Sequence, residues 1–379
     1  MGVELQAQKS SQILSRLSIS GKTSKRKAVN KNKALKPELP TSSSSTSVLT
    51  ASNQARDIPD DVIYEIVKWL PRVDVMHCSL MSRSIYNLCK PFLYTFVDLS
   101  YPESCRSALK FFSRRPDLAR WINTLIIRPN PGAGWSNSAD KPMDERWMVS
   151  VIEDLALGGS LTSLRTFEWY GKQTPRESLW SVLRSSCPKL RSIGLCVTIS
   201  LGSDLLDPES NLFDFEDLRG FHLTTQILER GYTHVPKNHE LPPRLWSMLL
   251  ERSPNLEELT LDGACLSDEV WQLEPVLRGR WPRLRKLALG HISALDSSTS
   301  SHEQTISDFL DAHANLEDVS LIGNASYSPQ TISEFLSMPK ILSWKGRLAH
   351  LKHAGPKCQI RNLCLTPQGK SWRCVKKST

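Results

Sequence analysis

The sequence predicts an α/β protein in two parts, an N-terminal module of three helices followed by an α/β solenoid of helix–strand repeats with parallel strands. Three observations predict it. Apolar residues recur at helical spacing from Ile58 to Leu88, interrupted by prolines. Seven later segments share one spelling, two apolar residues separated by one other, and six of the seven have a Leu three positions earlier. Most of these segments follow a helical run.

The first helix opens at Pro59, whose missing N–H would have no partner in a first turn. Val62, Ile63, Ile66, Val67 and Leu70 then recur at helical spacing, with Asp60, Asp61, Glu65 and Lys68 mostly opposite them. Pro71 stops this helix, and Val73, Val75, Cys78, Leu80, Met81, Ile85 and Leu88 carry the pattern through two further short helices. About forty residues bury too little surface to be comfortably stable alone.

The repeated segments are INTLIIRP, SLRTFEWYG, KLRSIGLCV, DLRGFHLTT, NLEELTLDG, RLRKLALGH and NLEDVSLIG. Their alternating pairs are Leu125/Ile127, Phe167/Trp169, Ile193/Leu195, Phe221/Leu223, Leu259/Leu261, Leu287/Leu289 and Val319/Leu321, the signature of short strands with one buried face. The runs SALKFF, RWMVSVIEDLAL, ESLWSVLRSS, RLWSMLLERS, TISDFLDAH and TISEFLSM supply the helices, with a final unit around Ile341. Such units cannot bury their apolar faces singly, so they stack, helices outside and a parallel sheet inside. A doubly wound α/β fold alternates the same elements, but the shared spelling and the lack of a Gly-rich strand-to-helix turn favour the solenoid. On its concave surface the residues between the buried pairs offer Arg128, Glu168, Tyr170, His222, Thr260, Asp262 and Asp318 as candidate contacts, Arg and Tyr being enriched at binding hot spots. Glu168, Glu258, Asp262 and Asp318 together suggest a partner with basic residues, although any one of them equally serves to keep an exposed strand soluble.

The net charge of +9 suggests nucleic acid until its location is considered. Residues 1–55 hold nine Lys/Arg and two Glu, and residues 340–379 hold ten Lys/Arg and no acid, so the stretch between them is net acidic. The expected organisation is a disordered basic, Ser-rich tail (1–55), the helical module (56–99), the repeats (100–345) and a basic C-terminal tail (346–379). Lys22, Lys25, Arg26 and Lys27 fit either an import signal or a solubilising linker. Nine cysteines without a C-x-x-C suit reduced thiols, no apolar run reaches membrane-span length, and the polar start lacks a secretory layout, so a cytoplasmic and/or nuclear protein with no membrane partner is expected.

No G-x-G-x-x-G, P-loop, H-E-x-x-H or G-x-S-x-G occurs, and Glu257-Glu258 would point to opposite faces of a strand, so a non-enzyme without cofactor is expected. His350-x-x-His353 with Cys358, Cys364 and Cys374 matches no standard zinc spacing, and no metal is expected.

Ile58-Pro59-Asp60-Asp61-Val62-Ile63-Tyr64-Glu65-Ile66-Val67 through Trp69-Leu70-Pro71, then Asp74-Val75 and Cys78-Ser79-Leu80-Met81-Ser82-Arg83, resembles the F-box. The segments after it resemble irregular leucine-rich repeats, SPNLEELTLDGACLSDEV (residues 253–270) being the best match. Asn324 sits at the ladder position of that repeat and Cys265 one residue late, while the other units lack the ladder residue. The resemblance implies a non-catalytic adaptor. Its F-box would dock on a Skp-type linker protein, and through it on a cullin-RING ubiquitin ligase, while the repeats present a protein substrate. Ile58, Pro59, Val62, Ile63, Ile66 and Leu70 would form part of the linker-binding surface, or, read more plainly, an ordinary helical core. Two readings of other classes are an interaction scaffold that never reaches a cullin and, less favoured, a nucleic-acid-associated protein using both basic tails.

Overall fold

The structure is a computed structural model of the 379-residue chain and describes residues 58–130, 143–199, 206–227, 241–263, 271–272, 274–290, 292–293, 308–322, 329–353 and 360–366. The tail at 1–55, with its import-signal candidates, lies outside these residues, as do Cys265, Asn324, Cys358 and Cys374. The chain divides into two compact units, Met1–Leu88 and Cys89–Thr379.

In the first unit, prolines set the helix limits as expected. The Pro59 carbonyl accepts from the Val62 and Ile63 N–H groups at 3.1 Å each, opening α1 (Asp60–Trp69), with Asp60 and Asp61 in the first turn and Lys68 in the last, where the helix dipole favours them. Leu70 is extended, and Pro71 both ends α1 and opens α2 (Arg72–Ser79). The Ser82 hydroxyl accepts from the Ile85 N–H at 3.1 Å at the start of α3 (Arg83–Tyr94).

The second unit is built on ten strands that occur in one sheet in the order β1 (Phe96–Leu99), β2 (Thr124–Ile127), β3 (Thr166–Trp169), β4 (Ser192–Ile199), β5 (Gly220–Ile227), β6 (Glu258–Gly263), β8 (Lys286–Gly290), β10 (Asp318–Ile322), β11 (Ser343–Arg347) and β12 (Asn362–Thr366). Every adjacent pair is parallel. Two short strands, β7 (Trp271–Gln272) and β9 (Ile292–Ser293), pair separately. Between successive sheet strands lie α4 (Pro102–Arg114) with α5 (Pro116–Ala119), α6 (Glu145–Leu157), α7 (Glu177–Ser186), a 3-10 turn (Asn211–Asp214), α8 (Pro243–Leu250), α9 (Glu274–Leu277), helical residues 308–312, α10 (Pro329–Ser337) and a second 3-10 helix (Leu348–His353).

The strand order decides between the two folds considered. A doubly wound sheet reverses direction at a switch point; here each sheet strand lies beside the next one in the chain, so crossovers of one hand put every helix on the same face. All fourteen residues of the seven expected pairs are buried, whereas the residues between them on the other face are mostly half-exposed. Each helix contributes its own apolar stripe, such as Met148, Ile152 and Leu155 on α6 or Leu179, Trp180 and Leu183 on α7, and one core continues through the repeats to Trp344.

Two expected boundaries move. Phe96–Leu99, grouped with the helical module, form β1, whose Val97 and Leu99 are buried against the repeats. Residues 362–366, assigned to the tail, form β12, paired with β11 from Ser343↔Asn362 to Arg347↔Thr366. Both carry the repeat spelling with a different leading residue, Tyr94 before Val97/Leu99 and Ile360 before Leu363/Leu365.

Candidate functional site

The first candidate surface lies on α1 and the α2–α3 turn. Helical geometry sorts the six predicted residues onto two sides. Ile58, Val62 and Ile66 repeat every four residues and are exposed, Ile58 at 58% and Ile66 at 50%, with Pro59 exposed beside them. Ile63 and Leu70 fall on the side of Val67, which is buried, and are themselves half-buried. The plainer reading, a helical core, therefore holds for Ile63, Val67 and Leu70, and not for Ile58, Val62 or Ile66.

The structure adds three residues to this surface. Trp69, three positions after Ile66, is 81% exposed, and Leu80 and Met81, in the turn between α2 and α3, are 84% and 72% exposed. Spacing alone could have found Trp69; Leu80 and Met81 fall within the periodic set assigned to the two following helices, whereas the structure puts them in the turn between those helices. Among the described residues this unit leaves its largest apolar side chains in water and buries only Val67 and Val75 completely, the kind of exposed apolar patch that marks an interaction surface.

The second candidate surface is the open face of the sheet, where strand register arranges the side chains in rows. One row runs Asp98, Ile126, Glu168, Gly194, His222, Thr260, Ala288, Ser320 and Lys345. Asp262, two residues beyond Thr260 on β6, pairs with Thr224, while Asp318 faces Lys286 on its neighbour β8. Arg128, Glu168, Tyr170, His222, Thr260, Asp262 and Asp318 are all half-buried, so each predicted residue has an accessible part.

Four of the face residues form a connected group at the β1–β3 end. Arg128 pairs with Asp98, its guanidinium lies 4.8 Å from the centre of the Tyr170 ring, and the Tyr170 hydroxyl donates to Glu168 Oε2 at 2.9 Å. Burial, followed by the Glu168 charge, pushes the Tyr170 phenol well above its ordinary range, so it remains a hydroxyl donor. Gly194 permits this arrangement: a Cβ there would come within 2.6 Å of the Glu168 Cγ.

Farther along, Glu258 is 2.6 Å from Lys286 Nζ and 3.7 Å from His222 Nε2. Lys286, Lys345 and Arg347, absent from the predicted set, lie on the same face. The face is thus mixed in sign. It consists of a cation–aromatic cluster at one end, small residues such as Gly194, Ala288 and Ser320 in the middle, and lysine and arginine at the other end.

Residues 56–95 match the F-box domain family, a span that stops immediately before β1. A comparison with curated proteins finds no match. F-box domains in general dock on Skp-type linkers of cullin-RING ligases and serve as their substrate-recognition subunits.

Proposed function

We propose that this chain is the non-catalytic substrate-recognition adaptor of a Skp-cullin-F-box ubiquitin ligase. The observation that carries the proposal is the apolar surface of the F-box segment, exposed at Ile58, Val62, Ile66, Trp69, Leu80 and Met81 in a unit whose described residues bury only Val67 and Val75 completely. Covering such side chains contributes about 25 cal/mol per Å2, several kcal/mol gross before the costs of association. Pro59, exposed beside Ile58, belongs to this surface, while the half-buried Ile63 and Leu70 lie on the Val67 side and hold the α1 face in position.

The repeats, of the irregular leucine-rich kind, would hold a protein substrate on the open face through Arg128, Glu168, Tyr170, His222, Thr260, Asp262 and Asp318. Among the described residues Asp318 has no ion pair and Glu168 is held by the Tyr170 hydroxyl alone, so both favour basic residues in the substrate. Lys286, Lys345 and Arg347 add sites for acidic or carbonyl groups. The protein would act in the cytoplasm and/or nucleus.

The test is co-purification of the full chain with a recombinant Skp-type linker and cullin, wild type beside Ile66→Ala/Trp69→Ala. Capture of both by the wild type and loss of both in the variant is the expected result. Failure of a correctly folded wild type to capture the linker would refute the proposal and leave the repeats as a scaffold in their own right.

A further inference from the structure

The residues immediately before the strands form a row of their own along the sheet edge where the strands begin. Backbone hydrogen bonds of 2.6–2.9 Å fix it: the Arg165 N–H donates to the Asn123 carbonyl, Arg191 to Arg165, Arg219 to Arg191, Glu257 to Arg219, Arg285 to Glu257 and Glu317 to Arg285. From Arg219 onward the charges alternate and pair, Arg219 with Glu257 at 3.4 Å and Arg285 with Glu317 at 2.6 Å. At the other end three arginines stand side by side.

Neighbouring strands are about 4.8 Å apart, and like charges at that spacing oppose pairing. Arg191 pairs with Asp217 at 3.7 Å and donates from Nη1 to the Leu190 carbonyl at 2.8 Å, and the exposed Arg165 makes no ion pair among the described residues. This run lies in a part of the chain that is otherwise net acidic. Trp121, on the turn leading into the adjacent β2, is also exposed. These arginines do not belong to the open face. They share the parity of the buried Phe167, Ile193 and Phe221 but lie beyond the end of the core, so their side chains emerge along the edge.

We infer that the edge formed by Arg165, Arg191 and Arg219, with Trp121 beside it, is a second docking surface, and that its partner is a helix bearing a stripe of carboxylates. The pitch selects the helix. Three arginines on adjacent strands span about 9.6 Å, and carboxylates at i, i+4 and i+7 of a helix span about 10.5 Å. Alternate residues of an extended chain would need about 13 Å for the same three contacts. Arginine, in preference to lysine, suits the purpose because its planar fork binds a carboxylate with two parallel hydrogen bonds.

The experiment uses the full chain and a fluorescent helical peptide with glutamates in an i, i+4, i+7 stripe flanked by leucines, read by anisotropy at low ionic strength. Its isomer, with the same residues but glutamates on all sides, serves as the comparison. Arg165→Gln/Arg191→Gln/Arg219→Gln should weaken striped-peptide binding roughly ten- to hundredfold, as expected for three exposed ion pairs. Arg283→Gln/Lys352→Gln/Arg361→Gln, an equal loss of charge elsewhere, should leave it unchanged. The isomer should bind several-fold more weakly than the striped peptide. Reversal to Arg165→Glu/Arg191→Glu/Arg219→Glu should restore binding toward a lysine-striped peptide, which separates a lost contact from a lost fold. Absence of saturable binding, equal loss in both glutamine variants, or equal binding of the two peptides would each overturn the inference.

Discussion

Glu145 provides the most direct test of how the Arg128–Tyr170 cluster is held. It is a buried carboxylate in the first turn of α6, behind the N-cap Asp144, and it accepts three hydrogen bonds: from Asn130 Nδ2 at 2.5 Å, the Lys172 N–H at 2.9 Å and the Gln173 N–H at 2.8 Å. Asn130 follows Arg128 by two residues, and Lys172 follows Tyr170 by two, so one side chain ties together the segments that leave β2 and β3. The fit is close, since a Cβ on Gly171 would come within 2.6 Å of the Glu145 carboxylate. Trp169 Nε1 donates to the Gln173 carbonyl at 2.8 Å and closes the turn.

Truncation by Glu145→Ala removes three hydrogen bonds to a charged acceptor, each worth about 1.5–3 kcal/mol net, and leaves two backbone donors to find other partners. A cleft of about 330 Å3, lined by Glu145, Trp169 and Gln173, admits water to one side and recovers part of that cost. The expected loss is therefore about 3 kcal/mol, and about 1.5 kcal/mol for Glu145→Gln, which keeps one acceptor and the shape. For the second unit, at about 2.1 cal/mol/K per residue, 3 kcal/mol lowers Tm by roughly 5 °C. The assays are thermal unfolding and amide exchange at Lys172 and Gln173, both of which should lose protection. A change below about 0.5 kcal/mol in the alanine variant, with exchange unaltered, would refute the reasoning.

His313 should make stability pH-dependent. It is buried, its Nε2 accepts from the Trp281 N–H at 3.0 Å, its Nδ1 lies 2.5 Å from the Phe309 carbonyl, and burial holds its pKa below the ordinary value. The unfolded state therefore takes up the proton first, so stability is intact above about pH 6.5 and falls as pH drops through the unfolded pKa toward the folded one. Urea midpoints at pH 7.5 and 5.5 should differ more for the wild type than for His313→Gln; equal differences would count against this role. Burial raises the Cys105 and Cys187 thiols to about 12, so iodoacetamide at neutral pH should spare both in the native protein and modify the exposed Cys364, as read by mass spectrometry. In the first unit, Val67→Ala should cost about 2 kcal/mol, whereas Ile66→Ala should change stability by less than about 0.5 kcal/mol, a contrast measurable by denaturant titration.

The strands were legible because a period of two places the buried face directly in the order of residues, and the Leu that precedes each pair marks the unit. β1 and β12 carry the same period with Tyr94 and Ile360 leading, and grouping them with their neighbours hid them. On α1 the helical period picked out the apolar residues but could not by itself tell which side faces water. Ile66 and Val67 are adjacent and equally apolar, and only packing separates them.

By itself the sequence determined the helix limits at Pro59 and Pro71, the seven buried pairs and the F-box spelling, since each depends on neighbours within a few positions. Tertiary structure decided the rest. The monotonic strand order, the contact of Arg128 with Asp98 thirty residues away, the three-arginine edge and the Glu145 tie all depend on register between strands from different repeats. Register is set by the stacking of whole units on a common core, and no local stretch of the chain encodes it.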